Sequence, residues 1–210
     1  MLPAPQRTRI GLLGGSFNPP HLAHLALARL ALDTLALDEV RWLPAGAPWQ
    51  KAGQVMASAE HRMAMLALLL HGEPQQVIDP RELHRAGPTY TIDTVRELVA
   101  QQPDADWCFI LGQDQYAHFD RWQDWPELLQ HLSLAVAARA GQAPQPPAAL
   151  AALPHRCTLL NLPAMSVSAS DIRRRIAAGK PVAALVGPRV AGYIDQHQLY
   201  SSPLQQDTRH

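Results

Sequence analysis

Residues 14–24 read Gly14-Gly15-Ser16-Phe17-Asn18-Pro19-Pro20-His21-Leu22-Ala23-His24, after the short apolar run Ile10-Gly11-Leu12-Leu13 and before a long helix-forming stretch. A double glycine at the end of a strand lets the backbone turn sharply and approach a ligand closely. Pro19 and Pro20 keep the loop from joining either flanking element. His21 and His24 open the helix three residues apart, on one face, beside the unpaired N–H groups and positive dipole end of its first turn. Two imidazoles, bare amides and a helix N-terminus together suit a polyphosphate. A plain strand-to-helix connection accounts for the glycines, but not for the two histidines.

Other phosphate and metal signatures are missing. Gly11, Gly14 and Gly15 do not make G-x-G-x-x-G, and no G-x-x-x-x-G-K-[ST] loop occurs in the chain. The H-x-x-H spacing lacks the H-E-x-x-H pattern, a nearby third ligand and paired cysteines, so zinc is a poor reading.

Composition narrows the class. The 210 residues, 47% of them hydrophobic and 17% charged, are enough for one well-buried domain. The formal net charge is zero, so no overall basic field favours nucleic acid or anionic membrane. Cys108 and Cys157 each fall in a strand-like apolar run and read as free, core-packed thiols. Residues 1–9 lack an apolar signal core, and no uncharged apolar stretch is long enough for a membrane span, which points to a cytoplasmic protein. Of the eighteen basic residues only Lys51 and Lys180 are lysine, which draws attention to Lys51.

Short apolar runs alternate with stretches of helical period, the pattern of β-α units around a mainly parallel open sheet with helices on both faces. Strands are expected near 10–13, 40–43, 77–79, 107–111, 133–137 and 157–160. Helices are expected near 22–36, 58–71, 91–101, 126–131, 147–152, 169–178 and 188–197. The whole reads as a single Rossmann-like domain over 1–200, with a small C-terminal helical part at about 164–200 and a polar tail at 201–210. Ligands of such sheets gather outside the carboxyl ends of the strands. Segments 14–24, 44–51 and 112–122 satisfy that rule.

Further candidates lie in or beside these loops. Lys51 follows the proline-bounded loop after the second strand, where a flexible cation can close over phosphates or simply be solvated. Gly112-Gln113-Asp114 follows Phe109-Ile110-Leu111, so Asp114 is placed to accept from ribose hydroxyls or to hold a turn. Trp122 and Trp125 come soon after, and one of them could stack on a heteroaromatic ring. Thr91 reads as the N-cap of the 91–101 helix, with first-turn amides that could also receive a small carboxylate. Val167-Ser168-Ala169-Ser170-Asp171-Ile172-Arg173 reads as a second anion site at a helix start. The run Arg173-Arg174-Arg175 near a positive dipole end calls for an anion.

These segments, in this order, resemble the bacterial nicotinate-nucleotide adenylyltransferases. Their superfamily is marked by G-G-[ST]-F-[DN]-P-x-H-x-G-H and I-S-[SA]-T-x-I-R, and the similarity spans about residues 10–200. Arg81-Glu82-Leu83 through Pro88-Thr89-Tyr90-Thr91 resembles the nicotinate-side region of that family. Ala23 stands where the family usually has glycine, and Val167 and Ser170 where isoleucine and threonine are commoner. The resemblance implies adenylyl transfer from ATP to nicotinate mononucleotide, with Mg²⁺ bound to ATP, no metal site of the protein's own, and no nucleic-acid or membrane partner. It leaves a homo-oligomer open. It implies His21, His24, Lys51 and Arg173 as catalytic groups. ATP would meet Gly14, Gly15, Ser16, Phe17, His21, His24, Gly112, Asp114, Ser168, Ser170, Ile172 and Arg173. The mononucleotide would meet Ser16, Asn18, Lys51, Tyr90, Thr91, Trp122 and Gln123. Transferases using nicotinamide mononucleotide or pantetheine phosphate, and a silent nucleotide sensor, are the alternatives.

Overall fold

A computed structural model describes residues 7–46, 56–139, 144–163, 165 and 167–201. Six strands form one sheet: β1 (Arg9–Gly15), β2 (Glu39–Pro44), β3 (Gln76–Ile78), β4 (Asp106–Gly112), β5 (Leu132–Arg139) and β6 (Cys157–Leu162). Their order is β3-β2-β1-β4-β5-β6, and every pairing is parallel. Each expected strand is present. The sheet among the described residues is wholly parallel, because every crossover carries a helix that returns the chain to the same end.

The helices are α1 (Leu22–Leu35), α2 (Ala59–Leu69), α3 (Thr91–Gln101), α4 (Gln113–Tyr116), α5 (Trp125–His131), α6 (Ala148–Ala151), α7 (Ala169–Ala177), α8 (Ala183–Val186) and α9 (Pro188–Gln196). The seven expected helices are all found. The four-residue α4 and α8, and 3₁₀ turns at Arg81–His84 and Phe119–Arg121, are too short to show a sequence period.

Alternation along the strands sends side chains to two cores. Ile10 and Leu12 of β1 join Phe109 of β4 and Ile92, Val95 and Leu98 of α3 on one face. Leu13 and Ile110 join Leu25, Ala28 and Leu32 of α1 and Met65 and Leu66 of α2 on the other. The C-terminal helices cap that second face through Ile172, Val186, Val190 and Ile194. The apolar circumference of α1 is thus explained, since it lies between the sheet and these helices. Fully buried Trp42 donates from Nε1 to Gln76 Oε1 at 2.6 Å, a polar tie between β2 and β3 inside the core. One expectation fails: Cys108 is buried, but Cys157 is exposed, because it opens the edge strand β6 where no further strand covers it.

The order of strands reverses direction between β1 and β4, and their carboxyl ends lie side by side in the register Leu13 to Ile110. That crevice is where ligands of open parallel sheets bind.

Gly11 lets β1 sit this deep. A Cβ there would lie 2.8 Å from Leu37 Cδ1 and 2.9 Å from Ile110 Cδ1. Gly11→Val is expected to destabilise the fold by about 1–3 kcal/mol through overpacking, read as a lower urea midpoint with an unchanged m-value.

Candidate active site

The loop from Ser16 to His21 leaves the sheet at the crevice and forms no helix or strand of its own. Other segments hold it. Gly15 O accepts from Ala45 N at 2.9 Å, joining the loops after β1 and β2. Phe17 has left-handed φ of 45°, unfavourable for a bulky residue, and its fully buried ring packs against His24 and Trp42 at centroid distances of 5.2 and 5.3 Å. Asn18 is buried, and its Oδ1 accepts from Ala57 N at 3.1 Å and from Tyr200 Oη at 2.7 Å. The Asn18 carbonyl accepts from Arg173 Nη1 at 2.7 Å. Arg62, from α2, reaches the same loop by donating from Nη1 to Ser16 O at 3.0 Å.

The two histidines meet face to face, with ring centroids 3.6 Å apart and planes 16° from parallel. His21 is the N-cap of α1, with extended backbone, and His24 lies in its first turn. The His21 backbone N–H donates to His24 Nδ1 at 3.3 Å. That bond makes Nδ1 an acceptor, so a neutral His24 carries its ring proton on Nε2 as a donor. Burial lowers the His21 pKa from 6.5 to about 4, so this imidazole is neutral at pH 7. The pair therefore presents a neutral His21 and, on His24, an Nε2–H donor. Ala23 takes helical backbone with no positive φ, so glycine is not required there for conformation.

The structure brings part of the second motif to this loop. Ser168 caps α7, its Oγ accepting from Asp171 N at 3.1 Å. Arg173 spans Asn18 O and Ser170 Oγ, the latter at 3.3 Å. The reading of Arg173-Arg174-Arg175 as a run seeking an anion is corrected. The helix has nine residues, so Arg174 and Arg175 fall in its last turn, where cations are favoured, and both pair with Asp171 at 2.8 Å. Arg173 alone turns to the loop. Two residues expected to meet ATP, Ile172 and Phe17, have fully buried side chains that pack in the core.

Gly14 is exposed at the crevice, with Gly15 and Ser16 half-buried beside it. Gly112 ends β4 as the N-cap of α4, and Asp114 is exposed in the first turn of that helix. On the other side of the sheet Tyr90 and Trp122 pack against the same core. Trp122 is half-buried on Phe109 and Phe119, at 5.5 and 5.2 Å, and Gln123 after it is exposed. The N-cap of α3 is Tyr90, not Thr91: Tyr90 is extended and Thr91 is already the first helical residue. Asn18, expected to meet the mononucleotide, has its side-chain carbonyl committed to the internal bonds above. Lys51 lies outside the described residues.

Two groups, Arg62 and Tyr200, escaped the sequence reading. Arg62 occupies the apolar face of α2 with Met65, Leu66 and Leu69, and that placement of a charge is the signal that could have exposed it. Tyr200, in left-handed backbone at φ of 65°, left no pattern. Buried Glu82 accepts from Thr94 Oγ1 at 2.8 Å, and Arg85 donates to the same hydroxyl at 3.0 Å, which moors the 81–91 segment onto α3. Burial pushes the Glu82 carboxyl above its usual range, partly offset by the Thr94 bond.

Comparison with known proteins agrees with this geometry. A family model described as cytidylyltransferase-like matches residues 12–175. The chain is 53% identical over 196 residues to a Bordetella petrii protein, covering 91% of this chain and 98% of that one. It is 47% identical over 204 residues to a Methylibium petroleiphilum protein, covering 95% of each. Both are named "probable nicotinate-nucleotide adenylyltransferase". The chain belongs to the nicotinate-nucleotide adenylyltransferase family. The fold also matches the Plasmodium falciparum nicotinic acid mononucleotide adenylyltransferase complexed with NaAD, with a TM-score of 0.77 at 19% identity, over 95% of this chain and all of that one. Among the described residues no helix is long and apolar enough to cross a membrane.

In this member of the family the neutral His21 sets a stability trend. Its folded pKa of about 4 lies below the unfolded 6.5, so the unfolded chain binds more protons between those values. Stability is expected to fall as pH drops from about 6.5 to about 4, by up to about 3 kcal/mol from this group. His21→Asn, which cannot titrate, should lose less over that window in urea melts at pH 7 and pH 4.5. Equal losses would remove His21 as the source.

Proposed function

We infer that the chain transfers the adenylyl group of ATP to the phosphate of nicotinate mononucleotide, releasing pyrophosphate and forming nicotinate adenine dinucleotide. The observation that carries this reading is the docking of Arg173 from α7 onto the Asn18 carbonyl, which joins both anion motifs into one cradle beside the stacked histidines. The names of the relatives, and the dinucleotide in the P. falciparum complex, support the choice of substrates.

The reaction forms a bond from a phosphate oxygen of the mononucleotide to the α-phosphorus of ATP and breaks the bond from that phosphorus to the oxygen bridging to the β-phosphate. The nucleophile is already an anion at neutral pH, so no general base is needed. The protein's tasks are alignment and charge stabilisation. His24 Nε2–H donates to an α-phosphate oxygen as negative charge builds there, with His21 fixing the position of its ring. Arg173 holds the leaving phosphates, joined by Lys51. The backbone of Gly14, Gly15, Ser16 and Phe17 lines the approach. Gly112 and Asp114 face a ribose, and Ser168 and Ser170 the ATP side. Trp122 offers its solvent-facing ring face to the pyridine, and amides near Tyr90, Thr91 and Gln123 receive the carboxylate. Asn18 acts by fixing the loop. Among the described residues no group of three or more His, Cys, Asp or Glu could hold a metal ion. Mg²⁺ bound with ATP would add charge neutralisation on its phosphates.

Pyrophosphate release with ATP and each of three acceptors tests the reading. Nicotinate mononucleotide should react faster than nicotinamide mononucleotide and pantetheine phosphate. Tight ATP binding with no pyrophosphate from any acceptor would point to a nucleotide sensor.

His24→Ala should lower kcat by about a hundredfold or more, about 3 kcal/mol in the transition state, with an unchanged circular dichroism spectrum. Near-normal turnover would remove its assigned role. Trp122→Ala should raise KM for the mononucleotide more than KM for ATP, and equal rises would remove the stacking role.

A further inference from the structure

We propose that Arg62 is a positioning residue of the phosphate cradle and that its buried charge finds its counter-charge in the bound polyphosphate. The proposal rests on the reading that the cradle takes a polyphosphate. Arg62 stands on α2, outside both anion motifs, and is only 2% exposed. Its guanidinium donates to three carbonyls from three segments. Nη1 reaches Ser16 O at 3.0 Å, in the loop after β1, and Ala45 O at 2.7 Å, in the loop after β2. Nε reaches Ala57 O at 3.2 Å, in the segment entering α2. A planar fork can hold three carbonyls in different directions, whereas an ammonium is a point donor on a flexible stem.

Carbonyl dipoles meet the Nε and Nη1 N–H groups of Arg62 without cancelling its charge. Among the described residues no carboxylate makes an ion pair with it. Residues 47–55, which connect the two segments at Ala45 and Ala57, contain no Asp or Glu in sequence. Burial lowers the Arg62 pKa, yet a guanidinium stays charged at neutral pH. Arg173 adds a second cation to the same loop, also without an acidic partner among the described residues. A buried cation without a counter-ion is costly to keep. Here it lies behind the loop that faces the proposed phosphates, so an anion arriving on the other side recovers part of that cost.

Calorimetric titration of ATP, and separately of inorganic tripolyphosphate, into wild type and four variants tests this. Arg62→Met, which keeps the stem and removes the charge, should bind both ligands about tenfold more weakly or worse. Arg62→Lys should recover most of that affinity while kcat for adenylyl transfer stays down about tenfold, because one ammonium cannot hold three loops in register. Ala45→Asp should bind tripolyphosphate more weakly than the equal-sized neutral Ala45→Asn, since the new carboxylate supplies an internal counter-charge. A folded Arg62→Met with wild-type affinity for tripolyphosphate overturns the proposal, as does equal affinity in the two Ala45 variants. Should Arg62→Met not fold, the Ala45 pair decides alone. Tripolyphosphate binding involves no adenylyl transfer. A wild type that binds it but makes no pyrophosphate from ATP and nicotinate mononucleotide overturns the reaction, and the Arg62 comparison is still decided by binding.

Discussion

Everything at the site depends on how the loop from Ser16 to His21 is satisfied. This stretch makes no helix or strand, and Pro19 and Pro20 contribute no N–H. A loop that cannot bond to itself must have its buried carbonyls met from elsewhere, or it will not stay buried. Here the donors are far apart in sequence: Arg62 on α2, Arg173 on α7 and Tyr200 beyond α9. Each comes from an element that packs on the same face of the sheet. The loop is held because its backbone carbonyls at Ser16 and Asn18 anchor α2 and α7, and the Asn18 side-chain oxygen anchors Tyr200, so the histidines at its end are fixed in place.

The sheet supplies the location, and the caps supply the chemistry. A parallel sheet with both faces covered leaves only its strand ends open for ligands. At the end of β1 the chain enters α1 through His21, whose backbone N–H bonds the imidazole of His24 in place of a hydroxyl or carboxylate cap. That replacement has a consequence for function. An Asp or Glu at the first turn would suit the helix dipole equally well but would repel a phosphate, whereas an imidazole accepts the amide through one nitrogen and offers an N–H through the other.

The alternating pattern of apolar runs and helical periods was enough to place all six strands and six of the nine described helices, while the four-residue α6 was legible only as an alanine- and leucine-rich run after the prolines. The phosphate loop was legible for a different reason: glycines, prolines and histidines in that order have few purely structural explanations. The rest was not legible because it depends on partners distant in sequence. Thr91 has the chemistry of a cap, but backbone geometry gave the cap position to Tyr90. Arg174 and Arg175 looked like anion ligands until helix length put them one turn from Asp171. Ile172 lies within a binding motif and yet serves the core, since a helix start must bury one side while presenting the other. Arg62 could have been found, as a charge on an apolar stripe, but which carbonyls it meets is a tertiary fact.

Charge is divided between the back and the front of the cradle, and the division follows from burial. Guanidinium groups remain cationic in surroundings that neutralise an imidazole, which is why burial leaves Arg62 charged while holding His21 neutral with a pKa of about 4. The permanent charges of the described cradle therefore come from Arg62 and Arg173, and His21 beside the reacting phosphorus is neutral. A cation in place of His21 would attract ATP more strongly in the ground state as well as in the transition state, and uniform binding of that kind does not raise kcat. Imidazole N–H donors held in place by this loop gain most where charge is developing, at the α-phosphate oxygens. On this reasoning the arginines behind the loop draw the polyphosphate in, and the stacked histidines act on the step itself.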